Sequence, residues 1–270
     1  MSKPIDQTEF IARIYSHLER TQLSLFHCRM QDELAMASQT QQVLIPSDKM
    51  LNNVQQRYNV NVRHHEVTCS ELGGDFLGIH QLSDSKLVVY LVDFSGHGIN
   101  AALNTFRLHT LMAQFYYHHK DPGEYLTQLN KELAALLPTG QFSTMFYGII
   151  NIKEHSLKYA TASCPAPLIF RENGQAEIID GSSYLFSTIS DHVYKTKEVH
   201  FSPGDTLLLY SNALTESPDF KGNLLNEENI ISYFNGDKNK GFNRLVETIK
   251  YKYPKECPDD LTVASFNFLT

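Results

Sequence analysis

The amino-acid sequence predicts an α+β protein built as a layered sandwich. Strand-like segments cluster in the middle of the chain, and helical segments are inserted between them in blocks rather than in regular alternation. This arrangement favours layers of sheet and helix over a doubly wound parallel sheet. Because 42% of the 270 residues are apolar, the chain can bury a real core in one large domain or in two small ones.

The first 45 residues form a helical region that precedes the strands. No Gly or Pro occurs from Phe10 to about Leu44, and Pro46 ends the run. The early part carries an apolar stripe with the 3-4-3-4-3 spacing of a coiled coil. This stripe comprises Ile11, Ile14, Leu18, Thr21, Leu25 and Cys28. Further on, the stripe shifts to Phe26, Met30, Leu34 and Ala37.

The shift in the stripe fits either two amphipathic helices or one long helix with a register break. In both cases the apolar face needs a partner, which is either the globular part of the same chain or a second copy in a parallel dimer. We therefore expect a helical linker with coiled-coil character at residues 1–49 and a globular domain at residues 50–270.

From Tyr58 onward, short segments rich in β-branched and aromatic residues predict strands, and longer periodic segments predict helices. Asn173-Gly174 predicts a hairpin turn, with Glu177–Ile179 as its second arm. The other predicted strands are Val60–Glu66, Leu87–Val92, Phe146–Ile152, Ser156–Thr161, Leu168–Arg171, Thr206–Tyr210 and Leu261–Phe268. The predicted helices are Ile99–His119, Gly123–Leu137 and Phe242–Tyr251.

Composition and charge exclude several classes of protein. No apolar run approaches the roughly 18–20 residues of a membrane span, and the N-terminus lacks the pattern of a secretory signal. The four cysteines form no C-x-x-C pair, which argues against a zinc knuckle or a disulfide framework and favours the reducing cytoplasm. A net charge of −7 argues against nucleic acid or an anionic membrane as the main partner.

The candidate chemistry comes from aspartates that lie at strand ends and glycine turns. Leu87–Gly98 reads as a buried strand that delivers Asp93 to its end and then turns through small residues. Asp75 also follows two glycines, and Asp259-Asp260 precedes the last apolar run. Each aspartate alone could simply cap a turn. Together, carboxylates in such settings suit Mg²⁺ or Mn²⁺ and favour metal-assisted hydrolysis of a phosphate ester.

Other catalytic motifs are absent from the sequence: no P-loop, dinucleotide fingerprint or G-x-S-x-G elbow occurs. A different hydrolase site built from histidines and acidic residues is a weaker alternative, since most of the twelve histidines read as surface or boundary residues. A finding of bound zinc would favour that alternative.

Four ordered motifs resemble those of the bacterial PPM metal-dependent serine/threonine phosphatases. The likeness covers roughly residues 58–270 and is strongest to the sporulation and stress-response branch, which acts on anti-sigma-factor antagonists. Residues 31–46 also look like the linker that precedes such domains. The motifs are Glu71-Leu-Gly-Gly-Asp75-Phe, Val92-Asp93-Phe-Ser-Gly-His-Gly98 leading into Ala101-Ala102-Leu103, Tyr210-Ser-Asn-Ala-Leu-Thr-Glu216, and Asp259-Asp260-Leu-Thr262.

This resemblance implies an α-β-β-α sandwich with a site for two Mn²⁺ or Mg²⁺ ions at one end. It implies that Asp93 bridges both ions and that the carbonyl of Phe94 reaches one of them. Asp259 would bind the second ion, and Asp75 would hold waters that coordinate the ions. Asp260 and Gly74 are secondary candidates for the same site. The implied substrate is a phosphoprotein of the anti-sigma-factor antagonist type.

Two positions depart from the motifs of the PPM family. Where the third motif has Ser/Thr-Asp-Gly, this chain has Ser211-Asn212-Ala213, so a neutral amide replaces a carboxylate and the second metal should bind less tightly. Gly78 stands where many relatives have another Asp. Arg63 is a weak candidate for clamping the phosphate. These departures leave two hypotheses open: a phosphatase with weakened activity, or a degenerate domain that binds a partner as an adaptor.

The extreme N-terminus resembles the end of a response-regulator receiver domain, in which a Lys-Pro pair precedes the last helix. The residues concerned are Lys3-Pro4-Ile5-Asp6 and the following Glu9–Leu18. An ordinary helix after a chance Lys-Pro dipeptide is the alternative. The resemblance implies that residues 1–20 end an upstream receiver domain and that the chain is the output half of a two-component regulator. Phe10–Leu44 would then be the signalling linker, in a homodimer.

Overall fold

The computed structural model describes residues 7–115, 120–219, 222–253 and 257–269. The chain divides into two compact units, Met1–Gln42 and Val43–Thr270. The second unit therefore begins at Val43 rather than at residue 50. The reason is that Leu44 packs against one part of the buried core, and Met50 and Leu51 pack against another.

In the first unit, the described residues form one continuous helix, α1 (Gln7–Gln42). The helix runs through the shift in the apolar stripe, which decides between the two readings in favour of a single long helix. Most of its apolar side chains are exposed, with Leu18 at 52% and Leu25 at 66% of full accessibility, while Leu34 and Ala37 are partly buried. The Lys3-Pro4-Ile5-Asp6 segment lies outside the described residues.

The second unit contains two five-stranded antiparallel sheets. The first sheet has the order β1-β10-β9-β6-β7, and the second has the order β2-β3-β4-β5-β8. The strands are β1 (Val60–Val67), β2 (Asp75–Ser83), β3 (Lys86–Phe94), β4 (Ser143–Asn151), β5 (Ser156–Ala162), β6 (Leu168–Phe170), β7 (Ala176–Ile178), β8 (Lys197–His200), β9 (Thr206–Tyr210) and β10 (Leu261–Phe268). The remaining helices are α2 (Asp48–Tyr58), α3 (Ile99–Gln114), α4 (Pro122–Leu136), α5 (Ala213–Glu216), α6 (Glu227–Tyr233) and α7 (Lys238–Lys252).

The sheets and helices of the second unit form four layers. One buried cluster lies between the sheets and includes Leu77, Leu91 and Phe266. A second cluster joins α3 and α4 to the second sheet, and a third joins α5, α6 and α7 to the first sheet. The predicted α+β class and the implied α-β-β-α sandwich are therefore confirmed.

Several elements were not predicted from the sequence: α2, β2, β8, α5 and α6. Helix α2 is mostly polar, but Ser47 caps its N-terminus by accepting a hydrogen bond from the Met50 N–H, and Val54 and Tyr58 are buried. The predicted hairpin at Asn173-Gly174 is present as β6 and β7, with Gly174 at φ 90°. The predicted helix Ile99–His119 corresponds to α3, and His118 and His119 lie outside the described residues.

Within the described residues, no helix combines the length and apolar character that crossing a membrane would require.

Candidate metal centre

The pairing of β2 with β3 places two of the predicted aspartates opposite each other. Asp75 is the first residue of β2 and lies across from Asp93, near the end of β3. Antiparallel partners in a sheet have Cα atoms about 4.5–5.5 Å apart, so their carboxyl groups share one environment. The sequence thus delivers two carboxylates to one end of the second sheet.

Three of the four oxygens of these two carboxylates are buried and have no hydrogen bond within 3.5 Å in the described part of the chain. Both carboxylate oxygens of Asp75 and the Oδ2 of Asp93 are inaccessible to solvent and have no hydrogen-bond partner among the described residues. Among the nearby hydroxyls, the Ser211 Oγ accepts from the Thr262 N–H at 2.9 Å and donates to the carbonyl of Asp260 at 3.5 Å. A buried carboxylate without a partner is unfavourable unless a cation neutralises it.

The electrostatics of the pair reflect this burial. Burial, and then the charge of Asp93, raise the pKa of Asp75 well above its usual value, although the side chains of Ser211 and Thr262 oppose the shift. Burial, and then the charge of Asp259, raise the pKa of Asp93, although a hydrogen bond from the backbone N–H of Asn212 opposes the shift. Carboxylates held close together in this way are the arrangement that binds a hard divalent cation.

Gly74 brings two backbone segments of the site into contact. A Cβ at position 74 would lie 2.9 Å from the Cβ of Ala101 and 3.1 Å from the carbonyl oxygen of Phe94. Glycine is therefore required for the close approach, and the Phe94 carbonyl lies directly against the residue before Asp75. The following turn is anchored at Ser95, whose N–H donates to the Phe142 carbonyl at 2.9 Å.

Asp260 holds the glycine segment in place. Its Oδ1 accepts a hydrogen bond from the Cys69 N–H at 2.7 Å, and its Oδ2 accepts from the Gly74 N–H at 2.6 Å. Asp259 is less buried, and its Oδ1 accepts from the Asp260 N–H at 2.9 Å. The two neighbouring aspartates therefore differ: the Asp260 carboxylate has both oxygens bound to the backbone, and Asp259 adds negative charge beside Asp93.

Asn212 occupies the position where the sequence motif has lost a carboxylate. It directly precedes α5, and its backbone N–H lowers the pKa of Asp93 against the effect of burial. The side-chain Nδ2 donates to the Oε2 of Glu216 at 3.2 Å. The side-chain Oδ1 is buried and has no hydrogen-bond partner among the described residues. Asn212 therefore adjoins the pair formed by Asp75 and Asp93, and its buried Oδ1 is available to bind a cation.

These residues fit a Mg²⁺ or Mn²⁺ ion by their donor chemistry. The oxygens of Asp75, Asp93 and Asn212 that lack hydrogen bonds are hard donors, which such ions prefer. No group of three or more His, Cys, Asp or Glu side chains in the described part of the chain is arranged to hold a metal ion. Mg²⁺ commonly binds through only one or two carboxylates with water in the remaining positions, so the set suits it better than zinc.

The structure brings most of the predicted site residues together and separates two others. Asp75, Asp93, Asn212 and the Asp259-Asp260 pair interact electrostatically or through hydrogen bonds. Arg63 contacts α7 instead: its guanidinium donates to the Asn243 Oδ1 and lies 5.0 Å from the centre of the Phe242 ring.

Gly78 lies under an aromatic ring rather than beside an open metal position. A Cβ at this glycine would lie 2.0 Å from the Cζ of Tyr90. The buried ring of Tyr90 therefore fills the space next to residue 78, and a side chain there would collide with it.

Two residues near the site were not singled out in the sequence. Glu216 contacts Asn212, and the exposed His97 acts electrostatically on Asp260. Both lie inside motifs that the sequence analysis quoted. The spacing of four residues between Asn212 and Glu216, which brings side chains together on a helical turn, was the signal that could have identified the contact.

Comparison with known proteins gives the family of the chain. The family model of Stage II sporulation protein E (SpoIIE) matches residues 83–268. Among curated proteins, the phosphoserine phosphatase RsbU of Bacillus subtilis is 23% identical over 189 residues, which cover 69% of this chain and 54% of RsbU. The phosphoserine phosphatase RsbP of the same species is 24% identical over 151 residues, which cover 54% of this chain and 38% of RsbP.

The fold is shared with solved phosphatase domains. The SiaA-PP2C domain of Pseudomonas aeruginosa superposes with a TM-score of 0.77 at 17% identity, covering 91% of this chain and 98% of that one. The phosphatase domain and regulatory fragment of SpoIIE from Bacillus subtilis give a TM-score of 0.66 at 18% identity, covering 78% and 63%. RsbX, solved in complex with magnesium, gives a TM-score of 0.58 at 16% identity, covering 77% and 94%.

The chain thus spans about half or less of the length of the curated relatives it matches, and its second unit has the PP2C-like fold of two antiparallel sheets. The SpoIIE model covers well over half of the chain, from the last residue of β2 to the end of β10, and includes the segments that carry Asp93, Asn212 and Asp259. We conclude that this chain belongs to the SpoIIE family.

Proposed function

We propose that this protein is a metal-dependent phosphatase of phosphoserine or phosphothreonine residues in proteins. The observation that carries the proposal is the set of buried oxygens of Asp75, Asp93 and Asn212 that lack hydrogen bonds at one end of the sandwich. Membership of the SpoIIE family supports the same activity. RsbU and RsbP, which match parts of the chain, both carry the name phosphoserine phosphatase.

Different residues of the site would bind the metal ions and hold the surrounding backbone in position for such a reaction. Asp93 and Asp75, with the carbonyl of Phe94 and with Asp259, would hold Mn²⁺ or Mg²⁺. When bound, such ions activate water and neutralise charge on the transferring phosphoryl group. Asp260 keeps the glycine segment in position through its two backbone hydrogen bonds. The exposed His97 lies in the adjoining turn and acts electrostatically on Asp260.

Asn212 favours a second candidate function. An amide is a weaker ligand than a carboxylate, so a site for a second ion would fill less readily in this chain. A domain of this kind can persist as a binding module that recognises a partner protein without hydrolysing it. We therefore keep the adaptor as the alternative to the enzyme.

A titration of activity with Mn²⁺ separates the two functions. Hydrolysis of a phosphoserine peptide and of an aryl phosphate is measured for wild type, Asp93→Asn and Asn212→Asp. A wild-type rate that rises with Mn²⁺ and is abolished in Asp93→Asn supports the enzyme and excludes a purely adaptor role. Wild-type protein that stays inert over a wide Mn²⁺ range, while Asn212→Asp becomes active, would rule out the enzyme for this chain.

The substrate and the upstream partner are further proposals. We propose that the phosphoprotein substrate is of the anti-sigma-factor antagonist type, by likeness to the branch that contains RsbU. We also propose that a receiver domain precedes the chain and controls it in the cytoplasm. A preference of at least about tenfold in kcat/KM for a phosphorylated antagonist over an unrelated phosphopeptide would support the substrate class, and equal rates would contradict it.

A homodimer through α1 is the last part of the proposal. The helix exposes Phe10, Leu18, Leu25 and Phe26, each more than half accessible. Exposed apolar side chains at coiled-coil spacing gain stability by pairing with a second copy. The mass in solution of residues 1–270 is compared with that of residues 43–270, which form a compact unit of their own. Dimers that become monomers on truncation support the proposal, and monomers in both cases contradict it.

A further inference from the structure

The contact between Asn212 and Glu216 gives the replaced position of the site a defined orientation. The Nδ2 of Asn212 donates to the Oε2 of Glu216 at 3.2 Å, four residues further along the chain. The backbone supports this spacing, because the Glu216 N–H donates to the Asn212 carbonyl at 2.8 Å. Glu216 is exposed, while the Oδ1 of Asn212 is buried.

Hydrogen-bond chemistry makes this contact selective for one orientation of the amide. An asparagine side chain ends in one donor group and one acceptor, and a half turn exchanges them. An ionised carboxylate only accepts hydrogen bonds, so Glu216 pairs with the NH₂ group and disfavours the flipped amide. The oxygen of Asn212 is thereby directed away from Glu216.

The direction of that oxygen matters because of what lies next to Asn212. The backbone N–H of the same residue acts electrostatically on the carboxylate of Asp93, which pairs across the sheet with Asp75, so Asn212 adjoins this pair. A flipped amide would turn an NH₂ group inward, and an NH₂ group cannot bind a cation. The fixed orientation presents an oxygen instead.

We propose that Glu216 is a positioning residue that locks the side-chain amide of Asn212 with its oxygen toward the metal site, so that Asn212 serves as a neutral ligand. This inference rests on the proposed metal-dependent function. It also reinterprets the asparagine at position 212. Instead of marking the loss of a metal ligand, Asn212 binds the metal with its orientation held by Glu216. In this proposal Glu216 acts through Asn212, and its charge also raises the pKa of Asp93.

A double-mutant cycle at positions 212 and 216 tests the unit. Mn²⁺ affinity is measured by calorimetry and by the Mn²⁺-dependent shift in melting temperature, without substrate. In the wild-type background, Glu216→Gln should raise the dissociation constant for Mn²⁺ about fivefold, the usual worth of one hydrogen bond. The reason is that a glutamine amide can face either end of the Asn212 amide and no longer selects one orientation.

The same substitution should act differently when position 212 carries a carboxylate. The two oxygens of an aspartate are equivalent, so Asn212→Asp needs no orienting partner, and Glu216 would only repel it. Adding Glu216→Gln to Asn212→Asp should therefore leave Mn²⁺ affinity unchanged or increase it. This reversal of sign between backgrounds is the signature of a positioning role.

Other outcomes would overturn the inference. Equal weakening of Mn²⁺ binding by Glu216→Gln in both backgrounds would mean that Glu216 acts only through its charge. Unchanged affinity in the wild-type background, with or without a lower melting temperature of the metal-free protein, would mean that the contact is merely structural. Glu228→Gln is the matched control, because it removes one negative charge from an exposed position in α6.

The same measurements separate this inference from the proposed function. Mn²⁺ binding with the reversal of sign but no hydrolysis of any phosphopeptide would support the role of Glu216 and contradict the phosphatase. Hydrolysis that depends on Mn²⁺ without the reversal would support the phosphatase and contradict the role of Glu216. Wild-type protein that binds no Mn²⁺, beside an Asn212→Asp variant that does, would show that the amide of Asn212 is not a working ligand.

Discussion

The two sheets contribute to the candidate site in different ways. The second sheet supplies Asp75 and Asp93 on paired strands, and their buried oxygens include three that lack hydrogen bonds. The side of the first sheet supplies Asp260, whose two oxygens each accept a backbone N–H, and Asn212, which is neutral. One side therefore has unpaired negative charge, and the other has polar groups that are mostly satisfied.

This difference in hydrogen bonding implies that the two sheets have separate roles in the site. Unpaired buried charge is costly in the metal-free protein and favours cation binding, so the second sheet determines whether a metal binds at all. Satisfied hydrogen bonds stabilise the segments around the metal, so the side of the first sheet determines how well the site is shaped. Substitutions on the two sides should consequently separate loss of activity from loss of stability.

Asp93→Asn should have the largest effect on activity. Removing this charge should lower phosphatase activity by about three orders of magnitude, because metal ions supply several kcal/mol of stabilisation to the transition state. The metal-free variant should be at least as stable as wild type, because a buried unpaired charge has been removed. Activity assays and thermal melts without metal check both parts. A variant that loses activity only because it unfolds would contradict the division of tasks.

Gly78→Ala tests the packing of the second sheet. The added Cβ would overlap the ring of Tyr90, so we expect a loss of about 3 kcal/mol in the free energy of unfolding. Tyr90→Val opens that space, and the double variant should be destabilised by clearly less than the sum of the two single changes. Urea unfolding measures all three variants. Additive effects would mean that Tyr90 is not the reason for glycine at position 78.

Asp260→Asn should affect stability and shape more than chemistry. An asparagine has one side-chain acceptor oxygen, so the N–H of Cys69 or of Gly74 would lose its partner. We expect a loss of about 2 kcal/mol in the free energy of unfolding, since a buried donor is left unsatisfied. The metal-free protein is the sample for this measurement. An unchanged stability together with abolished Mn²⁺ binding would mean that Asp260 is a ligand instead.

Much of the fold could be predicted from local pattern. Strands β3, β4 and β10 are dense in apolar residues because both faces of each sheet are covered, and such runs are read easily. Strand β2 was missed because Gly78 interrupts its apolar residues, and the reason for that glycine is a ring on the neighbouring strand. Helix α2 was missed because few of its residues are apolar.

The candidate site was predictable at the level of residue type but not of orientation. Glycines beside Asp75 and the strand before Asp93 point to carboxylates near a ligand. The different hydrogen bonding of Asp259 and Asp260 depends on the backbone of residues 69 and 74, which are remote in sequence. No local pattern encodes which oxygen faces a distant N–H group, so this distinction required the structure.

Asn212→Asp is the smallest expected effect and the most direct test of the comparison. It replaces the neutral amide next to the aspartate pair with a carboxylate, so the Mn²⁺ concentration for half-maximal activity should fall about tenfold, as for a stronger ligand. The rate at saturating Mn²⁺ should change little, because Asp75 and Asp93 already provide the main charge. A change in the saturated rate with an unchanged Mn²⁺ requirement would contradict the assignment, since position 212 would then act on the reaction rather than on filling of the site.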